Sequence, residues 1–344
     1  MSWLETELAE QPSALARLLD RQGAAAREIA SLLDRADVDY VLIASRGSSS
    51  NAARYGQYLL GRAHRVPVMF ATPSLYTIYE QPPRLDGAAV VGISQSGASP
   101  DVAAVVAEAR RQGRPTIALT NVPESPLARE ADVVLLLEAG EERAVAATKT
   151  YLNSLGAVAM LFAAADGPRA EAELARMPEL VERQIALSTH EPPPLDAYLE
   201  SPGATVVARG VNYGTAFEIA LKIRELSGLV VEAYSPADLM HGPIAAIRPG
   251  WPVVLVAPSG PARPSVEEVV LPLRERGARL LAVSDVAAML RRAQTRLPLV
   301  PGVPEWLSPL TATIPGQVTA LRLARLRGLD VDSPAGLHKV TLTR

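Results

Sequence analysis

The chain is 344 residues long, 48% hydrophobic and 21% charged, with a formal net charge of −3. That composition describes a globular protein with a large core and room for two domains. It excludes the basic footprint expected of a partner for nucleic acid or an anionic membrane, and the absence of cysteine excludes disulfides, thiolate metal sites and a cysteine nucleophile. The four histidines (His64, His190, His241 and His338) are scattered, so no metal site is expected, and without a Walker lysine or G-x-G-x-x-G spacing no nucleotide cofactor is expected either. The N-terminus MSWLETELAEQ is acidic and lacks a signal core, and no apolar run reaches the roughly 18 residues of a membrane span. A cytoplasmic location is the default expectation.

Residues 1–35 carry leucine and isoleucine at helical spacing and predict an N-terminal helical segment, with Pro12 in a first turn. The spans 40–45, 66–71, 88–94, 115–121 and 132–138 read as strands, with helices near 52–60 and 100–112. Such alternation predicts a parallel sheet covered by helices on both faces. The span 144–165 reads as one long apolar helix, buried between layers or subunits. A polar, proline-bearing stretch at 167–196 is the expected linker. The pattern restarts with a strand at 204–210, a helix at about 215–227, a strand within 251–260, a helix through 276 and a strand at 279–285. The proline-rich stretch 298–309 is expected to cross over the second domain.

The restart is a repeat. Arg46-Gly47 recurs as Arg209-Gly210 and Ser96-Gly97 as Ser259-Gly260, each 163 residues on (209 − 46 and 259 − 96), and Asn121 matches Asp285 at 164. Two copies of one α/β unit are therefore expected, with domains at 36–166 and 197–335, a tail at 336–344, and binding loops at the C-terminal ends of the strands.

Between the third strand and its helix lie Ser94, Gln95, Ser96, Gly97, Ala98 and Ser99. Hydroxyls and a glycine ahead of a helix N-terminus suit a phosphate, because the N–H groups there are unpaired and the dipole favours an anion. An ordinary Ser-capped helix is the alternative. The second copy has APSGPARP, whose prolines remove N–H donors, so the anion site is expected in the first copy. The second copy instead places Glu218, Lys222 and Glu225 at i, i+4 and i+7, on one face of the helix FEIALKIRELSG. A solvated ion-pair stripe and a buried acid–base set both fit that spacing. His241, before Gly242-Pro243, suits an exposed polar role or none. Lys339 lies in a tail, GLHKVTLTR, that is either frayed or pinned down.

SQSGASPD, ARGSSS, NVPESPLARE, AVAATK, EIALKIRE, MHGPIA and GLHKVT together resemble the double sugar-isomerase (SIS) family, from about residue 10 to the C-terminus. That family includes the isomerase half of glucosamine-6-phosphate synthase and the type II glucosamine-6-phosphate deaminases. The resemblance implies two tandem flavodoxin-like α/β/α domains with parallel sheets, a homodimer and a 6-phosphosugar substrate. It implies phosphate binding by the loops at Gly47, Ser48, Ser49 and at Ser94, Gln95, Ser96, Gly97, Ser99. It further implies backbone contacts to the sugar from the AVAATK loop (Val145, and Ala147 where some members have serine). Glu225 is implied as the C1–C2 base, Lys222 as its supporting lysine, His241 as the ring-opening histidine given to the partner subunit, and Lys339 as the tail lysine able to form a Schiff base. Without a cysteine, these 344 residues are not expected to hydrolyse glutamine. Conversion of glucosamine-6-phosphate to fructose-6-phosphate and ammonia is the expected reaction. Alternatives are the same chemistry on galactosamine-6-phosphate or a ketosamine-6-phosphate, the isomerase part of an aminotransferase, or a non-catalytic sugar-phosphate sensor.

Overall fold

The computed structural model describes residues 2–190, 193–199 and 201–339. Residues 340–344, most of the predicted tail, lie outside that set. Among the described residues ten strands form two five-stranded sheets. The first holds β1 (Tyr40–Ser45), β2 (Val68–Phe70), β3 (Ala88–Ser94), β4 (Thr116–Thr120) and β5 (Val133–Leu136). The second holds β6 (Gly203–Val207), β7 (Val230–Tyr234), β8 (Pro252–Val256), β9 (Arg279–Ser284) and β10 (Thr295–Pro298). Every pairing is parallel. The orders are β2-β1-β3-β4-β5 and β7-β6-β8-β9-β10, the same winding twice. Strands covered on both faces need continuous apolar runs, and all seven residues of β3 are buried.

This flavodoxin-like order places the switch point between the first and third strands of each sheet, where ligands bind at the strand C-termini. The loops after β1 and β3 meet that position in the first sheet; those after β6 and β8 do so in the second. The repeat extends to dihedral angles: Arg46 (φ −139°, ψ 159°) and Arg209 (φ −137°, ψ 158°) match, and each precedes a glycine with positive φ, +52° at Gly47 and +63° at Gly210.

The N-terminal segment is three helices, Trp3–Ala9, Gln11–Arg21 and Gly23–Leu33, broken where Pro12 and Gly23 open the second and third. The helix expected near 52–60 runs over Gly47–His64. The long apolar helix starts later than its composition suggests, at Lys149, and ends at Asp166. It is buried throughout residues 149–163 and packs on Gly47–His64, Gln11–Arg21 and Gly23–Leu33. Gly156 makes this possible, because a Cβ there would stand 2.6 Å from Leu15. The polar stretch read as a linker folds into helices Pro168–Ala175 and Met177–His190. Its charges form their solvent face, while Gln184 is buried and bonds Pro298 O and Val300 N.

One element escaped the pattern entirely. Ser308–Leu326 is a helix with Pro315 inside it, packed against Tyr213–Ser227. An internal proline normally ends a helix; here Gly316 lies so close to Ile219 that a Cβ would overlap it, and packing carries the chain past the break. By compactness the chain divides into Met1–Ala9, Arg143–Ala146 and Glu179–Leu337 as one unit, and Glu10–Glu142, Ala147–Pro178 and His338–Arg344 as the other.

Candidate active site

The loop after β3 is built around Gly97. Its φ of +60° is a left-handed conformation that favours glycine, and an added Cβ would collide with Ser125 Oγ. The Gly97 N–H donates to Ser94 O and Oγ, at 3.2 and 3.1 Å, and its carbonyl takes the Leu127 N–H at 3.0 Å. Ala98 N–H donates to Ser96 Oγ at 3.2 Å. The Gln95 carbonyl takes the Asn121 N–H, so the Gln95 side chain is carried on a fixed backbone. Ser99 is the extended N-cap of helix Pro100–Arg111, and its hydroxyl makes no capping bond. Opposite, Gly47, Ser48 and Ser49 form the first turn of Gly47–His64, with Ser50 Oγ 3.1 Å from Ser45 Oγ.

Two residues outside the expected set brace these loops. Asp101, buried in the first turn after Ser99, accepts from Arg46 Nε at 2.7 Å and from Val102 N–H at 2.9 Å. The tie spans the switch point.

The second copy's equivalent loop is already filled by carboxylates. Asp285 accepts from Ser259 N–H at 2.7 Å and from its hydroxyl at 2.5 Å, while Glu305 accepts from Ala262 N–H at 2.9 Å. In the first copy the matching residue is neutral Asn121, which turns away to Ala139 N–H and Gly140 O. An anion in the second loop would face these two carboxylates.

The Glu218–Lys222–Glu225 stripe is no solvated face. On helix Tyr213–Ser227, Lys222 (2% side-chain exposure) bridges Glu218 at 3.5 Å and Glu225, which it contacts through a short hydrogen bond. Glu218 is 1% exposed and Glu225 25%. Glu225 is the more accessible of the two carboxylates. Beside it opens a cavity of about 450 Å³, lined also by Leu226, Gly228, Leu329, Asp330 and Leu337. Such a volume suits a sugar-sized ligand. His241 is exposed and closes the short helix Pro236–Met240, whose N-cap Ser235 accepts from Asp238 N–H.

The 143–150 stretch is held by acidic residues that periodicity did not single out. Glu7, buried on Trp3–Ala9, accepts from the Arg143 and Ala144 N–H groups. The Val145 N–H donates to Asp332 O at 3.3 Å. Glu142 takes the Thr148 and Thr150 N–H groups, both at 3.0 Å, and the Lys339 ammonium at 2.7 Å. Burial pushes the Glu142 carboxyl up, but the charge and hydrogen bonds of Lys339 and the bonds from Thr150 outweigh it and hold the group below its ordinary value. Ala147 lies between these anchors, half-buried. Among the described residues no cluster of three or more acidic or histidine side chains is placed to hold a metal, and no helix is long and apolar enough to cross a membrane.

Two tandem flavodoxin-like units, each with an all-parallel five-stranded sheet, define the class of fold. Within it, the chain belongs to the SIS domain family, whose model matches residues 36–164 and 200–327. It is 33% identical over 350 residues to the glutamine–fructose-6-phosphate aminotransferase of Thermus thermophilus, covering 97% of this chain and 57% of that protein. The chain thus spans little more than half the length of such relatives. Among solved structures, a Silicibacter pomeroyi protein with a provisional phosphosugar-isomerase name is 30% identical, with a TM-score of 0.87 over 96% of this chain and all of that one. The C-terminal domain of the Francisella tularensis glucosamine-fructose-6-phosphate aminotransferase is 25% identical, with a TM-score of 0.84 over 97% and 98% of the two chains.

Proposed function

We propose that the chain performs the isomerase chemistry of a fructose-6-phosphate aminotransferase, interconverting glucosamine-6-phosphate with fructose-6-phosphate and ammonia. The Ser94–Ser99 and Gly47–Ser49 loops hold the phosphate. Glu225 moves the proton between C2 and C1, with Lys222 supplying the adjacent cation that steadies negative charge developing on the enediol oxygen. His241, given to the partner subunit of a homodimer, opens the ring. Ammonia enters or leaves at C2 by imine formation or hydrolysis. The Val145–Ala147 loop meets the sugar chiefly through its backbone. The reaction is cytoplasmic in this reading. Deamination of glucosamine-6-phosphate is the same chemistry run in the other direction.

The observation that carries the proposal is the buried Lys222 between Glu218 and Glu225 beside an open cavity; its support from relatives is the match to aminotransferases over nearly the whole chain. The test is ammonia release from glucosamine-6-phosphate, with glucosamine-6-phosphate formation from fructose-6-phosphate and ammonium measured in parallel. Galactosamine-6-phosphate and unphosphorylated glucosamine are the controls. Turnover of neither glucosamine-6-phosphate nor fructose-6-phosphate would refute it.

A further inference from the structure

The chain has 34 cationic side chains, of which three are lysines: Lys149, Lys222 and Lys339. Arginine supplies all the rest. Each lysine rests on a carboxylate: Lys149 on Glu10 at 2.5 Å, Lys222 on Glu218 and Glu225, and Lys339 on Glu142 at 2.7 Å. Lysine is therefore reserved for paired, largely enclosed positions. Of these pairs, Lys339–Glu142 joins the most distant parts of the sequence, 197 residues apart.

Glu142 has a side-chain exposure of 0%. One oxygen takes the N–H groups of Thr148 and Thr150; the other takes the Thr150 hydroxyl, at 2.7 Å, and Lys339. The same carboxylate thus shapes the 142–150 loop and receives the tail. Thr148, 1% exposed, has a hydroxyl with no hydrogen-bond partner among the described residues.

We propose that Glu142 is a positioning residue that docks Lys339 onto the 142–150 loop. This rests on the reading of Lys339 and the loop as sugar-facing. The loop donors alone would satisfy much of a buried carboxylate; the ammonium brings in the far end of the chain and fixes where its lysine sits.

The test uses the whole chain. Glu142→Gln keeps an acceptor for the two N–H groups but removes the charge. Acylation by acetic anhydride without substrate, read lysine by lysine by peptide mass spectrometry, should modify Lys339 about tenfold faster in this variant, as expected when a buried pair is broken. Lys149 and Lys222 should react at wild-type rates. Equal Lys339 rates in the two proteins overturn the proposal. Faster labelling of all three lysines overturns it as well, since the carboxylate would then hold the fold and not the tail. Glu142→Asp, which keeps the charge on a shorter stem, should fall between the two. Turnover supplies a readout that a purely structural role would not move. Glu142→Gln, Lys339→Met and the double variant should lose similar factors in kcat, with KM within about twofold of wild type; additive losses count against docking. Because acylation needs no sugar, selective Lys339 labelling in a protein inert to every sugar phosphate would refute the reaction and leave the docking intact.

Discussion

Arg46 Nε donates to Asp101 Oδ2 at 2.7 Å, tying the loop after β1 to the helix after β3 across the first sheet's switch point. Arg46 is half exposed, but Asp101 is wholly buried, so the pair is worth more to Asp101 than surface ion pairs usually are. Arg46→Ala should cost about 1–3 kcal/mol by stranding a buried acceptor. If the two loops hold the phosphate as proposed, untying them should raise KM for the sugar phosphate about tenfold while kcat stays near wild type, the pattern of lost uniform binding. Steady-state kinetics with a thermal melt would check both, and an unchanged KM would remove the pair from the site.

Gly97→Ala imposes two penalties at one position: a left-handed backbone at φ +60° and a Cβ inside the space of Ser125 Oγ. Together these should destabilise the chain by about 2–4 kcal/mol. Competition by inorganic phosphate should weaken in the same variant. A wild-type melting temperature would mean that the turn can be rebuilt.

Glu225→Gln should lower kcat by about 10²- to 10⁴-fold, the usual contribution of a positioned base, with KM nearly unchanged. Lys222→Met should do more damage, since it removes the cation facing buried Glu218 and costs about 3–5 kcal/mol. Adding Glu218→Gln to Lys222→Met should recover stability without recovering activity. If the pair of substitutions restored turnover, Lys222 would be a structural residue alone.

Acid should loosen the tail. The Glu142 carboxyl titrates below its ordinary value of 4.5 in the folded chain, so its stabilisation is fully present above 4.5. It is lost as the pH falls from there through the lower folded value. Melting temperatures followed from about pH 6 to about pH 3 should drop more steeply for wild type than for Glu142→Gln. Parallel curves would contradict the linkage.

The second copy's loop offers a control. Asp285→Asn leaves the Ser259 N–H with a weaker acceptor, and should cost about 1–2 kcal/mol while KM for the sugar phosphate stays within about twofold. A large rise in KM would place substrate in a loop that its own carboxylates fill.

The sequence by itself determined the two-fold repeat, most strands nearly to their ends, and the serine loop. These are local matters: a buried parallel strand needs a short apolar run, and a tight turn into a helix needs glycine and hydroxyls. It also placed Glu218, Lys222 and Glu225 on one face, because helical spacing alone does that. Whether the face was wet or buried was not legible from spacing alone, since burial depends on what packs on Tyr213–Ser227, and one such neighbour, Ser308–Leu326, is a helix whose internal proline hid it. The braces were hidden for a related reason. Arg46 and Asp101 are 55 residues apart, and Glu142 and Lys339 are 197. No local pattern pairs such residues. The order in which strands wind, and the crossovers that return the chain to each switch point, decided which charges would meet.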